Sequence, residues 1–262
     1  MFANERRNQI IELLNQRSSL TVAELTALFQ VSLETIRRDL EYLEKQGMLQ
    51  RVHGGALSLR KMQNYTELSH RVTEHRDEKQ QIAKSCLSHI HEGDCIAIDC
   101  GSTLTQLASL LCDTFQKLTV LTNSLEVFQI LAGKNHMQVI LTGGFYHPEE
   151  KAFFGHLTLD MIQQLHVSTY FLSPTTLSLR FGISEHIPEI VEVQRALIQI
   201  ADRVIVAADS SKFETCAAMK TCDLNPRFLY LTDDGLSEDL REIYRNASLE
   251  VEIASASKFS CT

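Results

Sequence analysis

The sequence predicts two domains of different fold class, a small winged helix-turn-helix followed by a larger α/β domain with a mostly parallel sheet. The first prediction rests on three short amphipathic helical patterns and a Gly-Gly hairpin within residues 3–58. The second rests on apolar runs that alternate with helical patterns from residue 95 onward, an order typical of a sheet covered by helices on both faces. We expect residues 59–76 to form a linker and the second domain to span residues 77–255.

Charge is distributed unequally between the two predicted domains. The 262 residues include 25 Lys and Arg against 33 Asp and Glu, a net charge of −8. Eight of the basic and seven of the acidic side chains lie in residues 1–60, so this part carries +1 and the remainder −9. Because a partner meets one domain rather than the whole chain, the overall acidity does not exclude nucleic acid as a ligand of the first domain.

The sequence predicts no cofactor, metal site or membrane segment. The first residues lack the apolar run of a signal peptide, and no stretch approaches the roughly 18 apolar residues of a membrane span. The seven cysteines are odd in number and include no C-x-x-C pair, so neither a disulfide framework nor a zinc site is indicated. We expect a soluble cytoplasmic protein with reduced thiols.

Helix signals divide the first domain into three helices. The first helix begins near Arg6. Thr21-Val-Ala-Glu24 is a capping box, in which the threonine and glutamate side chains each accept from the other residue's backbone N–H, and it starts a second helix. Ser32 can cap the third. The apolar positions that we expect to be buried are Ile10, Ile11, Leu13, Leu14, Val22, Leu25, Leu28, Phe29, Leu33, Ile36, Leu40 and Leu43.

The third helix has the features of a DNA-recognition helix. Arg38 lies opposite its apolar stripe and Arg37 on the flank, with the Thr35 hydroxyl nearby. Such groups suit the major groove, where arginine can pair bidentately with guanine or bind phosphate. The alternative is a solvated face with ion pairs between Glu34 and Arg38 and between Arg37 and Glu41.

A predicted hairpin after the third helix completes the winged helix. Residues 48–53 and 56–59 alternate like strands around Gly54-Gly55, where both central positions can require positive φ. Arg51 and His53 then lie where a wing contacts phosphate or the minor groove. The alternative is a helical interaction module with a basic hairpin that contacts protein.

Seven apolar runs and six helical patterns define the second domain. The runs cover residues 95–99, 118–122, 138–142, 169–173, 204–209, 228–232 and 249–253. The helical patterns cover residues 77–91, 103–112, 124–132, 157–165, 189–201 and 237–246.

Polar loops follow four of the predicted strands. Residues 99–103 open a helix whose free N–H groups favour an anion, and residues 122–124, 142–144 and 209–212 occupy equivalent places. Each loop alone could be a plain helix cap or turn. Because ligands of parallel sheets bind beyond the carboxyl ends of the strands, four such loops at one sheet edge predict a site for a small phosphorylated ligand.

The first domain resembles the helix-turn-helix of the DeoR family of bacterial sugar-operon regulators. The stretch that carries the resemblance is LTVAELTALFQVSLETIRRDLEYLEKQGMLQRVHGGAL, and the similarity extends over residues 5–58. It implies operator DNA as a partner. The residues that it implies in DNA contact are Ser32, Thr35, Arg37, Arg38, Arg51, His53 and Gly54.

The second domain resembles the effector domain of the same family in the segments DCGST, LTNS, TGG and ADSSKF. That domain shares a fold with ribose-phosphate isomerases and binds a phosphorylated sugar as inducer. The effector residues that the resemblance implies are Asp99, Gly101, Ser102, Thr103, Thr122, Asn123, Ser124, Gly143, Gly144, Asp209, Ser211 and Lys212. Two segments depart from the family pattern: residues 168–176 lack an expected acid, and Gln194 replaces an expected lysine.

A regulator is favoured over an enzyme. The alternative is a sugar-phosphate isomerase with an accessory winged helix, which needs a base beside the substrate carbon. Residues 161–184, where that fold would place its acids, contain no Asp or Glu. We therefore predict no catalytic residues and a repressor that a phosphorylated sugar controls by linkage. A homo-oligomer, dimer or tetramer, is expected because one winged helix buries little DNA surface.

Overall fold

The N-terminal domain of the computed structural model is a winged helix. The structure describes residues 2–17, 19–52, 54–58, 65–134 and 136–254. The elements of this domain are α1 (Ala3–Arg17), β1 (Ser19–Thr21), α2 (Val22–Phe29), α3 (Leu33–Lys45), β2 (Leu49–Val52) and β3 (Gly55–Ser58). The strands form an antiparallel sheet in the order β1-β3-β2. The sequence pattern predicted the three helices and the β2–β3 hairpin but not the three-residue β1.

Side-chain caps fix the helix starts where the sequence predicted them. The Thr21 Oγ1 accepts from the Glu24 N–H at 3.1 Å while the Thr21 N–H donates to the Glu24 carboxylate at 2.8 Å, which confirms the capping box. Ser32 caps α3 by accepting from the Thr35 N–H at 3.2 Å. Gln30, at a φ of 51°, ends α2 in the left-handed region.

Two leucines that we expected in this core are exposed. Leu28 is 60% and Leu33 47% exposed, whereas Leu25 and Ile36 are fully buried. The short helix α2 is buried at Leu25 and partly buried at Phe29. At 100° per residue, Leu28 lies on the other side of Leu25 from Phe29 and therefore faces solvent. Leu33 is the first residue of α3, at the edge of its buried face. The prediction of burial for Leu28 and Leu33 was therefore wrong.

The second domain contains a seven-stranded parallel sheet. Its strands are β4 (Cys95–Ile98), β5 (Leu118–Thr122), β6 (Met137–Leu141), β9 (Val167–Leu172), β12 (Ala201–Ala207), β14 (Leu229–Thr232) and β15 (Glu250–Ile253). They lie in the order β15-β14-β12-β9-β4-β5-β6, with every neighbouring pair parallel. All seven correspond to the predicted apolar runs, and the α/β fold class is confirmed.

Helices cover both faces of this sheet. They are α4 (Leu68–Arg71), α5 (Arg76–Cys86), α6 (Ser102–Thr114), α7 (Leu125–Leu131), α8 (His156–Ile162), α9 (Pro188–Ile200) and α10 (Glu238–Asn246). On β4, Ile96 and Ile98 pack into one apolar cluster and Ala97 into the other. Two layers of core therefore flank the strands, as continuous apolar runs predict.

Short antiparallel strands that the sequence did not predict lie beside the sheet. They are β7 (Phe145–His147), β8 (Ala152–Phe154), β10 (Thr176–Ser178), β11 (Gly182–Glu185) and β13 (Met219–Cys222). β7 pairs with β8, and β11 lies between β10 and β13. Each has three or four residues, too few to show a clear alternation.

Part of the predicted linker packs against the second domain. Leu68 in α4 is fully buried, and the Tyr65 hydroxyl donates to Glu150 at 2.9 Å. Among the described residues, no helix is long and apolar enough to cross a membrane. The domain boundaries at residues 58 and 76 stay predictions.

Candidate functional site

The predicted DNA-binding residues form an exposed surface at the N-terminal end of α3. Ser32 and Thr35 lie there with their hydroxyl oxygens 2.8 Å apart. Arg37 and Arg38 follow on the solvent side of the helix, and both are exposed. Four of the seven predicted side chains are thus brought together on one helix surface.

The two arginines of α3 have different surroundings. The Arg38 Nε donates to Glu34 Oε1 at 3.2 Å, and its side chain is 77% exposed. This is one of the two ion pairs expected if the helix surface were only a solvated face. Exposed pairs of this kind are weak because water and salt screen them. The other pair is not formed, because Glu41 binds Lys45 at 2.7 Å. Within the described ranges, no ion pair involves Arg37.

A groove separates α3 from the wing. It has a volume of about 520 Å³, with Leu33 and Arg37 on one side and Arg51 and Val52 on the other. The Arg51 guanidinium lies 4.0 Å from the Glu44 carboxylate. Two arginines, Arg37 and Arg51, therefore border this groove between the helix and the hairpin, where a phosphate backbone would approach.

The two glycines of the wing serve different purposes. Gly54 has a φ of +90°, whereas at Gly55 a Cβ atom would lie 2.4 Å from the Leu20 carbonyl oxygen of β1. Gly54 is thus required by the turn and Gly55 by the close approach of two strands. His53, which we predicted to contact DNA, lies outside the described residues.

Asp39 is a structural residue that sequence reasoning missed. It follows the two exposed arginines but is buried, and its carboxylate binds Arg6 Nε at 2.5 Å and Arg7 Nε at 2.8 Å. The Arg7 guanidinium also lies 3.8 Å from the centre of the Tyr42 ring. This buried ion pair attaches α3 to α1 and thereby holds the exposed arginines in place.

The predicted effector residues converge only in part. Four of the twelve line one narrow cleft at the carboxyl ends of the parallel strands: Ser102, Thr103, Asp209 and Lys212. The other side chains of its wall are those of Arg71, Lys79, Ser173, Pro174, Thr175 and Ala208. The enclosed volume is about 10 Å³, roughly that of one water molecule. A sugar phosphate would therefore require the cleft to open.

Two cations of this cleft were missed from the sequence. Lys79 of α5 is 2% exposed, and its Nζ donates to the carbonyl oxygens of Arg71 and, at 2.7 Å, Glu74. Burial lowers the pKa of Lys79 to about 8. Arg71 binds the buried Glu150 carboxylate. With Lys212, three cationic side chains surround the cleft.

A signal for Lys79 was present in the sequence. Lys79, Ile82, Ala83 and Cys86 follow one another at helical spacing, and all four are buried in the structure. A lysine on the apolar face of a helix is uncommon unless it is paired or functional. Arg71 gave no such signal, because it precedes α5 in a segment of weak periodicity.

Asp209 has one carboxylate oxygen without a partner. Its Oδ1 accepts from the Ser211 N–H at 3.2 Å and from the Ser211 hydroxyl. Its Oδ2 is buried and has no hydrogen-bond partner among the described residues. Ser211 is exposed and binds within its own loop. Asp209 Oδ2 is the acceptor that a ligand hydroxyl would satisfy.

Asp99 is buried and does not belong to the lining of the cleft. The Tyr170 hydroxyl donates to Asp99 Oδ2 at 2.6 Å, and burial raises the pKa of Asp99 to about 7. At Gly101 a Cβ atom would lie 2.1 Å from the Ser173 Cβ, so only glycine allows the two loops to approach. Asp99 and Gly101 therefore both lie against Ser173, a residue of the cleft wall.

The two departures from the family pattern meet beside Asp99. The Gln194 amide donates to Glu185 Oε1 at 2.8 Å, and the Thr175 N–H donates to the same oxygen at 2.9 Å. Burial raises the pKa of Glu185. Residues 161–184 contain no Asp or Glu, and Glu185 follows immediately after them.

The remaining predicted residues lie outside the lining of the cleft. Ser124 caps α7 by accepting from the Val127 N–H at 3.3 Å, and Thr122 accepts from the Ser124 N–H at 3.0 Å. The Asn123 amide donates to the Phe153 carbonyl at 3.2 Å. Gly143 and Gly144 form the turn that packs against α8, where Thr158 Oγ1 donates to the Gly143 carbonyl at 2.6 Å. Their contribution to ligand binding stays a prediction.

In the part of the chain that the structure describes, no group of three or more His, Cys, Asp or Glu side chains is arranged to hold a metal ion. The groups that line the cleft are cations, hydroxyls and one free carboxylate oxygen. These are the groups that bind a phosphate and a polyol.

Two family models match the chain. The model of the DeoR-like helix-turn-helix domain matches residues 6–62. The model of the DeoR C terminal sensor domain matches residues 74–234. Together they span the winged helix from residue 6 and the sheet strands from β4 to β14.

Two curated relatives are similar to this chain over nearly their whole length. The chain is 31% identical over 254 residues to the HTH-type transcriptional regulator GolR of Listeria innocua, covering 97% of this chain and 100% of that protein. It is 34% identical over 243 residues to the lactose phosphotransferase system repressor of Staphylococcus epidermidis, covering 91% of this chain and 95% of that protein.

Among solved structures, ribose 5-phosphate isomerase A from Neisseria gonorrhoeae superposes with a TM-score of 0.38 at 14% identity, over 52% of each chain.

Proposed function

Because the chain belongs to the DeoR family of transcriptional regulators, we propose that it is a DNA-binding repressor of an operon for sugar metabolism, released from its operator by a phosphorylated sugar. The observation that carries the proposal is the cationic cleft of the second domain, in a chain that also presents two exposed arginines on a winged helix. The cleft supplies a sensor and the winged helix an output.

The chemistry of the cleft selects the class of ligand. Lys79 and Lys212 lie with Arg71 around the N-terminal end of α6, where Ser102 and Thr103 contribute hydroxyls. Cations at a helix N-terminus favour a phosphate. The free Asp209 Oδ2 accepts from a sugar hydroxyl. A ligand with a phosphate at one end and hydroxyls along its chain can bind both the three cations and the Asp209 carboxylate oxygen.

On the DNA side, α3 enters the major groove. Arg38, whose side chain is 77% exposed, contacts base edges, while Arg37 and Arg51 border the groove next to the wing and contact phosphate. Ser32 and Thr35 position the start of the helix on the backbone, and the turn at Gly54 allows the wing tip to approach.

We further propose a symmetric oligomer, a dimer or tetramer, that acts in the cytoplasm. Specific protein–DNA complexes bury roughly 1,000–2,500 Å² of protein surface, which one winged helix does not reach. Paired winged helices on a two-fold axis would recognise two operator half-sites.

Catalysis is not part of this proposal. A base for sugar-phosphate isomerisation would need an accessible carboxylate. Both Asp99 and Glu185 are buried and accept hydrogen bonds, Asp99 from Tyr170 and Glu185 from Thr175 and Gln194. Asp209, the carboxylate of the cleft lining, is assigned in this proposal to a sugar hydroxyl.

The proposal is tested by a thermal-shift screen of the purified full-length protein against five- and six-carbon aldose and ketose phosphates. Each ligand that raises the melting temperature is then added to the complex with promoter DNA from the protein's own locus. We expect a sugar phosphate that both stabilises the protein and releases DNA, with no effect of the parent sugar. Specific DNA binding that no sugar phosphate alters would overturn the assignment of the effector class.

A further inference from the structure

The strand β3 of the wing is buried on both of its faces. Ala56 lies in the core of the winged helix. Its neighbour Leu57 is 1% exposed and belongs to the main apolar cluster of the second domain. Because successive strand residues point to opposite faces, one four-residue strand connects the two cores. A movement of the second-domain cluster that contains Leu57 therefore displaces the wing as well.

Helix α10 of the second domain contacts the winged helix at β1. Ile243 of α10 belongs to the same buried cluster as Leu57. A cavity of about 370 Å³ lies beside this contact, with Gly54 on the wing side and Asp239 and Glu242 on the helix side. The wing turn therefore lies across this cavity from two acidic side chains of α10, and a movement of α10 changes their distance from Gly54.

The opposite side of α10 is attached to the loop that carries Lys212. The Tyr244 hydroxyl donates to Glu214 Oε1 at 2.7 Å, and its ring centroid lies 5.3 Å from that of Phe213. Phe213 and Glu214 follow Lys212 directly in the chain. Tyr244 and Phe213 are buried, so a displacement of the loop is passed to α10 through packed side chains.

A second attachment reaches the same loop from the segment before α10. Asp233 accepts from the Ser210 N–H at 2.6 Å and from the Ser210 hydroxyl at 2.8 Å. Asp233 stands five positions before Glu238, the first residue of α10. The loop of residues 209–214, which forms one wall of the effector cleft, is thus held at two points by α10 and its leading segment.

We propose that α10 transmits occupancy of the effector cleft to the wing, by way of Tyr244 on one side and, on the other, its contact with β1, the strand that pairs with β3. The proposal rests on the proposed function, since it names the element that couples the two sites. A ligand that opens the narrow cleft displaces the loop of residues 209–214. Tyr244 carries this displacement to α10, and α10 shifts β1 with its partner strand β3 and moves the two acidic side chains across the cavity from Gly54.

Tyr244→Phe tests this route, and Tyr230→Phe is its matched control. Both tyrosines are fully buried in the same cluster, and both hydroxyls are hydrogen-bonded, but Tyr230 binds the backbone of Asn225 instead of the effector loop. Three quantities are measured by fluorescence anisotropy and calorimetry: affinity for promoter DNA, affinity for the sugar phosphate selected on the wild type, and the ratio of DNA affinities without and with that ligand.

We expect Tyr244→Phe to reduce the ratio by at least about fivefold, the lower end of typical allosteric coupling, with both single affinities unchanged. Tyr230→Phe should leave all three quantities at the wild-type values. A Tyr244→Phe protein that keeps the full ratio would overturn the proposal. Failure of the proposed function is distinguishable, because the wild type itself would then show no response to any sugar phosphate. If Tyr244→Phe unfolds, Glu214→Gln weakens the same hydrogen bond and carries the same expectation.

Discussion

Arg38 of the winged helix and Lys79 of the effector cleft are held in opposite ways. Arg38 is 77% exposed and pairs with Glu34 one turn away. Lys79 is 2% exposed and donates to two backbone carbonyls. Interactions of exposed cations are screened by salt. A buried lysine has a lowered pKa because its charged form has lost solvation, and an anion that binds beside it stabilises that charged form. The comparison explains why one region suits a long polyanion and the other a single small phosphate.

The same contrast exists inside α3, and it gives the largest predicted effect. Asp39→Asn should lower the free energy of unfolding of the winged helix by about 3–5 kcal/mol, because Arg6 would be left buried without its counter-charge. Hydrogen exchange of the α1 and α3 amides in the full-length protein measures this loss. Glu34→Gln, which breaks the exposed pair on the same helix, is the control and should leave the exchange unchanged. Equal effects of the two variants would refute the distinction between buried and exposed pairs.

Arg38→Ala should weaken specific DNA binding by about 1–3 kcal/mol, the usual contribution of an arginine that contacts a guanine edge. The fold should be retained, since Arg38 is exposed and outside the core. A gel-shift titration with promoter DNA and with random-sequence DNA separates specific from nonspecific affinity. Arg227→Ala removes an exposed arginine of the second domain and serves as the control. Wild-type specific affinity in Arg38→Ala would remove this residue from the recognition surface.

Lys212→Ala should leave DNA binding intact while abolishing the response to the sugar phosphate, because Lys212 lines the cleft and does not belong to the winged helix. The measured quantity is the factor by which the ligand weakens DNA binding, and it should fall to one. Lys117→Ala, an exposed lysine of the same domain, should retain the wild-type factor. An unchanged response in Lys212→Ala would take this lysine out of the effector site.

The pH dependence of ligand binding gives the smallest predicted effect, at most tenfold per pH unit. Since the pKa of Lys79 is lowered to about 8, affinity for a sugar phosphate should fall as the pH rises above 8 and the ammonium loses its proton. Calorimetric titrations between pH 7 and pH 9.5, repeated with Lys79→Met, measure this. The variant should bind more weakly with a flat profile, and a profile that falls in the same way would assign the titration to another group.

The stability of the ligand-free protein should respond to pH in the opposite direction. The pKa of Lys79 lies below its unfolded value of 10.5, so the unfolded chain binds more protons between pH 8 and 10.5. The contribution of Lys79 to the free energy of unfolding therefore rises with pH across this window.

Much of the fold was predictable because its signals are local. The capping box at Thr21, the Ser32 cap and seven apolar runs each specify an element within a few residues. Three-residue strands such as β1 and β7 carry too little pattern, and they form because a partner strand is brought beside them. Leu28 and Leu33 were assigned to the core because spacing alone does not tell how wide the buried face of a short helix is.

The candidate site was predictable where its residues follow strands. Asp209 and Lys212 belong to a strand-end loop and line the cleft as that position suggests. Arg71 and Lys79 come from a segment before β4, the first strand of the parallel sheet in chain order. They reach the cleft only through the packing of α4 and α5. Glu185 lies on β11, a strand too short to show an alternation. Tertiary packing, not local pattern, determines these three positions.

The measurement that tests the central claim most directly is fluorescence anisotropy of a labelled promoter duplex bound by the wild-type protein, titrated with each sugar phosphate of the panel. The account predicts that at least one sugar phosphate releases the duplex, that its dephosphorylated sugar does not, and that Lys212→Ala stays bound throughout. A duplex that remains bound at every ligand concentration, or that the parent sugar releases equally well, would contradict a regulator that senses a phosphorylated sugar.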